Sequence, residues 1–194
     1  MSIPNFQPLF PQSPETFETS VPELNNILGG GLTNNLFVIG STDHEIPLIF
    51  CRQLIVNLPP TQNVLAFDFT PEGDFLTAQT ENITTVRCDK NFTVFSLYDT
   101  LEKSAEFMTS APLVLISDIE AFGKYHKNAT EEQVSRYHLP YLERLATEGQ
   151  VPIVAATKIP PHIYQDPSDP RCFRYLVQDI TDFPSTRFLI LADE

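Results

Sequence analysis

This sequence predicts an α/β domain of three layers around a mostly parallel sheet, on two observations. Short apolar segments recur along the chain, and several are apolar throughout instead of alternating, as strands buried on both faces are. Segments of helical periodicity lie between them, and strands alternating with helices over this length describe a sheet covered on both sides. A chain of 194 residues suits one domain, and 42% hydrophobic residues with 15 Phe supply its core. The 25 acidic residues against 12 basic ones leave a net charge of −13. That field repels phosphate and argues against a polybasic binder of nucleic acid or of a membrane surface.

Residues 1–20 carry Pro4, Pro8, Pro11 and Pro14 among Ser, Thr and Gln, which disfavours helix and predicts a Pro-rich extended arm. Phe6, Leu9, Phe10 and Phe17 are too apolar for a free tail, so the arm packs either on its own domain or on a neighbouring subunit. Residues 21–194 read as one domain without an internal repeat. It opens with a helix over 23–28, stopped by Gly29, Gly30 and Gly31. Strands are expected over 36–39, 64–69, 83–88, 113–117, 151–155 and 187–191, and helices over 46–58, 95–108 and 130–148. In the last helix Thr130 and Gln133 have capping-box spacing, and Val134, Tyr137, Tyr141, Leu142 and Leu145 trace one face. Gly149 ends it, and Pro140 predicts a kink.

Cys51, Cys88 and Cys172 are odd in number and widely spaced, which predicts reduced core thiols rather than a disulfide framework or a structural zinc site. No apolar run approaches membrane-spanning length, and the N-terminus lacks the basic and apolar regions of a signal peptide. The expected location is cytoplasmic, or nuclear in a eukaryote. The sequons at Asn82, Asn91 and Asn128 then read as surface polar residues.

The stretch VPELNNILGGGLTNNLFVIGS, residues 21–41, resembles the opening of RecA-type ATPase domains, especially those of the DnaB helicase and of KaiC-like proteins. Further segments follow in family order. NVLAFDFTPE at 63–72 is similar to the strand carrying the catalytic glutamate, and APLVLISDIEAF at 111–122 to the Walker B strand. Residues 134–158 are similar to the helix and sensor strand, and 179–191 to the closing strand. The resemblance implies a RecA-like P-loop fold over residues 21–191.

A working site of that kind needs glycines whose backbone cradles phosphates, a lysine for the β/γ-phosphates and a hydroxyl on Mg²⁺. Here Gly40, Ser41 and Thr42 are followed by Asp43, His44, Glu45, Ile46 and Pro47, so Glu45 stands for the second glycine, Ile46 for the lysine and Pro47 for the hydroxyl residue. Asp43 and Glu45 suit an empty helix N-terminus and oppose a polyphosphate. Thr70 falls where the resemblance puts the water-activating glutamate, with Glu72 as the alternative two residues on; Lys158 takes the sensor position, and the chain ends in Leu191-Ala192-Asp193-Glu194 where the family places basic residues. Asp118 alone matches the Walker B aspartate. The implied cofactor is none, with ATP and Mg²⁺ held only where the divergent loop still binds.

Asp43, His44, Glu45 and Cys51 lack a convergent metal-ligand spacing, and His126, His138 and His162 have no nucleophile motif beside them. Lys124, Tyr125, His126, Lys127 and Asn128 form a locally basic, aromatic stretch, read either as a nucleic-acid or partner loop or as a solvated turn before a helix. Lys158, Arg171 and Arg174 belong to a second, Pro-rich loop that offers a contact surface. Together these features predict a non-catalytic RecA-like protein that assembles with RecA-like subunits, of its own or another kind, and that contacts nucleic acid weakly or indirectly. The alternatives are an ATPase with a divergent loop using Ser41, Thr42, Asp118 and Glu72, and an acidic inhibitor of a basic partner.

Overall fold

Runs such as Leu36-Phe37-Val38-Ile39 and Leu113-Val114-Leu115-Ile116 have no polar face to turn to water, so each must lie between two covering layers. A computed structural model places them so; it describes residues 3–11, 16–19, 21–56, 58, 60–76, 81–124, 128, 131–159 and 186–190. The strands are β1 (Leu36–Ser41), β2 (Val64–Asp68), β3 (Ile83–Arg87), β4 (Leu113–Ile116), β5 (Ile153–Lys158) and β6 (Thr186–Ile190). They form one sheet in the order β3-β2-β4-β5-β1-β6, and every pair is parallel. The helices are α1 (Pro22–Ile27), α2 (Glu45–Leu54), α3 (Val94–Ala105) and α4 (Glu131–Glu148).

The alternation of side chains along each strand divides the core in two. Leu36 and Val38 of β1 face Leu97 and Leu101 of α3 and Tyr141 and Leu145 of α4. Phe37 and Ile39 face the other way, with Leu24 of α1 and Leu48, Cys51 and Leu54 of α2. Strand β3 is the exception: only Ile83 and Val86 are half-buried, while Thr84, Thr85 and Arg87 are exposed, as an edge strand permits.

Several boundaries depart from the sequence expectation. Strand β1 runs on through Gly40 and Ser41, because Ser41 still pairs in register with Lys158 of β5. Helix α2 starts at Glu45 and ends at Leu54 rather than at 58, loosening into turns in which Val56 N–H donates to Gln53 O and Leu58 N–H to Ile55 O ahead of Pro59 and Pro60. Helix α3 starts earlier than expected on a capping box in which Thr93 Oγ1 accepts from Ser96 N–H at 3.2 Å and Ser96 Oγ accepts from Thr93 N–H at 3.3 Å. Helix α4 continues past Pro140 to Glu148, its lost backbone bond offset by burial of Tyr137, Tyr141, Leu142, Leu145 and Ala146. The left-handed residue after it is Gln150, at φ 56°, rather than Gly149. The Thr130 cap lies outside the described residues, as do Cys172 and the closing residues 191–194.

The arm packs on its own domain. Phe6, Phe10 and Phe17 are buried, and Phe17 forms a two-way backbone bridge with Leu32, at 2.6 and 2.8 Å. Phe6 sits edge-on to Tyr141 with ring centres 5.1 Å apart and 5.4 Å from Tyr98. Leu9 N–H donates to Gly149 O at 3.1 Å.

Candidate functional site at the carboxyl ends of β1 and β4

In an open parallel sheet, ligands bind outside the carboxyl ends of strands where the chain order changes direction. Such a point lies at β1 and β5, since the chain leaves β1 for β2 on one side and ends in β6 on the other. Gly40, Ser41 and Thr42 leave β1 here, Asp118 follows β4, and Lys158 and Ile159 end β5.

Ser41 is a fully buried strand residue, and its carbonyl accepts from Ile159 N–H at 2.8 Å. Gly40 is flush against that crossing. A β-carbon at position 40 would lie 2.6 Å from Ile159 Cγ1, closer still to its Cδ1, and 3.3 Å from Thr157 Cγ2. Ile159 is itself buried, so its side chain fills the space above the end of β1.

The first turn of α2 is acidic. Asp43 Oδ1 accepts from Glu45 N–H at 3.0 Å, using one of the free amides that a helix start exposes. Glu45 reaches Arg52 at 4.0 Å. His44 Nε2 lies 3.2 Å from Ser117 O and ties this turn to the end of β4, while Ser117 Oγ accepts from Phe69 N–H at 2.8 Å. Cys51 is buried within α2, which pushes its thiol up to about 12.

Asp118 caps the 3-10 turn Ile119–Ala121, accepting from Glu120 N–H at 2.9 Å. Burial raises its pKa, opposed by that N–H and by His44 nearby. Burial and the adjacent Asp118 charge raise Glu120 likewise. Behind this turn His138 of α4 is 2% exposed and lies edge-on to Phe122, with ring centres 5.2 Å apart. It bonds the Ile119 backbone, Nε2 has no partner, and burial lowers its pKa to about 4.

At the end of β2 the fully buried Asp68 accepts from Thr70 N–H and Oγ1, at 2.8 and 2.6 Å, and pairs with Arg87 at 3.3 Å. Thr70 is thus spent on Asp68, and Glu72 is exposed in the following bend. Lys124 is exposed, and Gly123 N–H donates to Phe92 O at 2.8 Å, which sets Lys124 beside the turn carrying the exposed Lys90. Lys90 was not among the candidates; its signal is the polar Asp89-Lys90-Asn91 turn directly after β3. Lys158 is exposed on the β5 side of the same rim. Tyr125, Lys127, Arg171, Arg174, His126 and His162 lie outside the described residues.

No protein-family model and no curated protein matches the chain. Among solved structures it is similar to a DnaB-like replicative helicase, described with its interactions with primase, at TM-score 0.61 and 12% identity over 82% of this chain and 47% of that one. It is likewise similar to the ATPase domain of the protein G40P, at TM-score 0.61 and 14% identity over 87% of this chain and 73% of that one. The fold is RecA-like. The chain spans about half the length of the first neighbour and most of the second. A RecA-like sheet accounts for Gly40 and Asp118 at neighbouring carboxyl ends, one strand apart across β5. Among the described residues, no helix of this RecA-like chain is long and apolar enough to cross a membrane.

Proposed function

We propose that the chain is a RecA-like protein without ATP hydrolysis that works by assembly. It joins copies of itself, related RecA-like subunits or another protein, and thereby regulates or scaffolds nucleic-acid processing in replication, recombination, repair or tRNA modification. The observation that carries this reading is Ile159 over Gly40, which puts an apolar side chain where a phosphate cradle needs open backbone. Three further features support it. Ile46 and Pro47 offer neither an ammonium nor a hydroxyl, Asp43 already occupies an amide of the first turn of α2, and Thr70 is held by Asp68. With Lys90, Lys124 and Lys158 as exposed cations at this end of a chain of net charge −13, contact with nucleic acid is weak or passes through a partner. The DnaB-like neighbour, described with primase, supports the nucleic-acid setting.

The test is calorimetry with ATP, ADP and GTP in Mg²⁺, on protein whose mass is measured by light scattering in the same preparation. No binding at millimolar nucleotide and a mass above that of one chain are expected. Micromolar binding overturns the reading and returns Asp118 and Glu72 to catalytic candidacy.

A further inference from the structure

Helix α2 is apolar on two sides. Its inner face puts Leu48, Cys51 and Leu54 into the core on one face of the sheet, and of its residues only Glu45, Arg52 and Gln53 are polar. The outer face of such a helix should carry charge, as that of α3 does, where Asp99, Glu102, Lys103 and Glu106 stand exposed. Instead Ile49 is 49% exposed and Val56, seven residues on and so two turns along the same line, is 46% exposed. Ile46 and Phe50 flank that line half-buried. Of the three large apolar side chains exposed among the described residues, two therefore share one surface, while Phe107 stands apart just past the end of α3. A helix that is apolar all round belongs between two layers, and among the described residues α2 has only one.

We propose that this outer face of α2 is the docking surface for an amphipathic helix of a partner protein, apolar on one side and rich in Lys or Arg along its edges. The inference rests on the assembly reading for there being a partner, and it supplies the face and the chemistry of the contact. From Ile46 to Val56 the seam runs about 15 Å, or roughly three helical turns. A helix flank exposes no backbone edge to which an extended strand could add, so a second helix packed side by side is the occupant that fits it. Carboxylates border the seam. Asp43 and Glu45 stand exposed at its start, and Glu72 and Asp74 stand exposed in the bend beside it, which Arg52 ties to the helix by donating from Nε to Phe75 O at 2.9 Å and from Nη2 to Asp74 O at 3.0 Å. Arg52 is the only basic residue of α2, and its guanidinium is spent on those carbonyls and on Glu45. A symmetric contact with a second copy of this chain would press these carboxylates against their own kind, whereas a basic edge meets each with the opposite sign. Ile46, where the family resemblance expects a lysine, thus gains a use as the first apolar residue of the seam.

The probe is a synthetic, fluorescently labelled helix of about 14 residues with leucines on one face and lysines on the other, titrated with the full-length chain in physiological salt. Saturable one-to-one binding below about 100 μM is expected. Ile49→Ser with Val56→Ser should weaken it at least about tenfold, and Glu72→Gln with Asp74→Asn at least about threefold, with a larger loss at lower salt. Both pairs are exposed, so the melting temperature should hold; if the first pair does not fold, Ile49→Gln alone takes its place with the same reading. A peptide of the same composition with its leucines scattered round the helix, and one with Glu for Lys, should each bind at least about tenfold more weakly. Absence of binding, equal binding by either control peptide, or binding unaffected by Ile49→Ser with Val56→Ser overturns the proposal. So does a wild-type dimer, seen by light scattering without peptide, that the same two substitutions dissociate, because the seam then belongs to a second copy. Failure of the peptide test leaves assembly through another face standing, whereas ATP binding sinks the non-catalytic reading and leaves the peptide result untouched.

Discussion

Ile159 closes over Gly40 so tightly that position 40 has no room for a β-carbon: Ile159 Cγ1 would stand 2.6 Å from it and Thr157 Cγ2 3.3 Å. Gly40→Ala is therefore expected to cost about 1–3 kcal/mol in urea unfolding, the usual range for overpacking. Ile159→Ala costs about 2–5 kcal/mol by itself. The double variant should cost less than the sum of the two, because truncating Ile159 removes what the new methyl strikes. Strict additivity would show that the two side chains are not in contact.

Thr70→Glu, which restores the acid that the family resemblance expects, should destabilise the protein by more than about 2 kcal/mol. The new carboxylate would sit against buried Asp68, which accepts both Thr70 donors at 2.8 Å or less. Thr70→Ser keeps both donors and should stay within about 1 kcal/mol of wild type. Equal stability of the two variants would contradict the contact.

His138 makes stability depend on pH in a defined window. Its folded pKa is lowered to about 4 from an ordinary 6.5, so between those values the unfolded chain binds a proton that the folded one refuses. Its contribution is complete above about pH 6.5 and is lost as pH falls toward 4, removing about 2 kcal/mol between pH 7 and pH 5. His138→Gln should remove that slope when denaturant midpoints are compared across the range. A slope unchanged in the variant would assign it to other groups.

The arm has an acid-sensitive fastening. The Arg144 side chain and the Phe6 N–H hold the Glu148 carboxyl below the usual carboxylate range. A depressed acid contributes above its unfolded pKa and loses that contribution as pH falls through the folded one. Exchange of the Phe6 amide with deuterium, corrected for intrinsic rates, should accelerate once Glu148 protonates, and Glu148→Gln should show the faster exchange already at neutral pH. Protection unaffected by Glu148→Gln would place the fastening elsewhere.

Much of the architecture was legible, because six apolar runs and three helical patterns carry their own periodicity. The boundaries were less so, for local reasons. Gly40 and Ser41 look like loop but pair with β5, and Ser96 makes a capping box with a hydroxyl where a carboxylate or amide is the usual sign. The site was legible only as residue types in 40–47, with Glu45, Ile46 and Pro47 standing where the resemblance expects a glycine, a lysine and a hydroxyl. That Ile159 covers Gly40, or that Tyr98 and Tyr141 receive Phe6, are meetings of distant side chains, which no periodicity encodes. The choice between arm on self and arm on neighbour was open for the same reason.

Strand β1 lies between β5 and β6, which among the described residues come last of the six strands in chain order. A ribosome adding about 5–20 residues per second needs on the order of ten seconds to pass from Ser41 to Ile153, where β5 begins. Throughout that interval Leu36, Phe37, Val38 and Ile39 are exposed with neither flanking strand in existence. Non-local parallel pairing of this kind folds slowly, and a bare apolar strand is prone to wrong pairing. Nascent β1 is thus the segment that most needs shielding by a chaperone during synthesis.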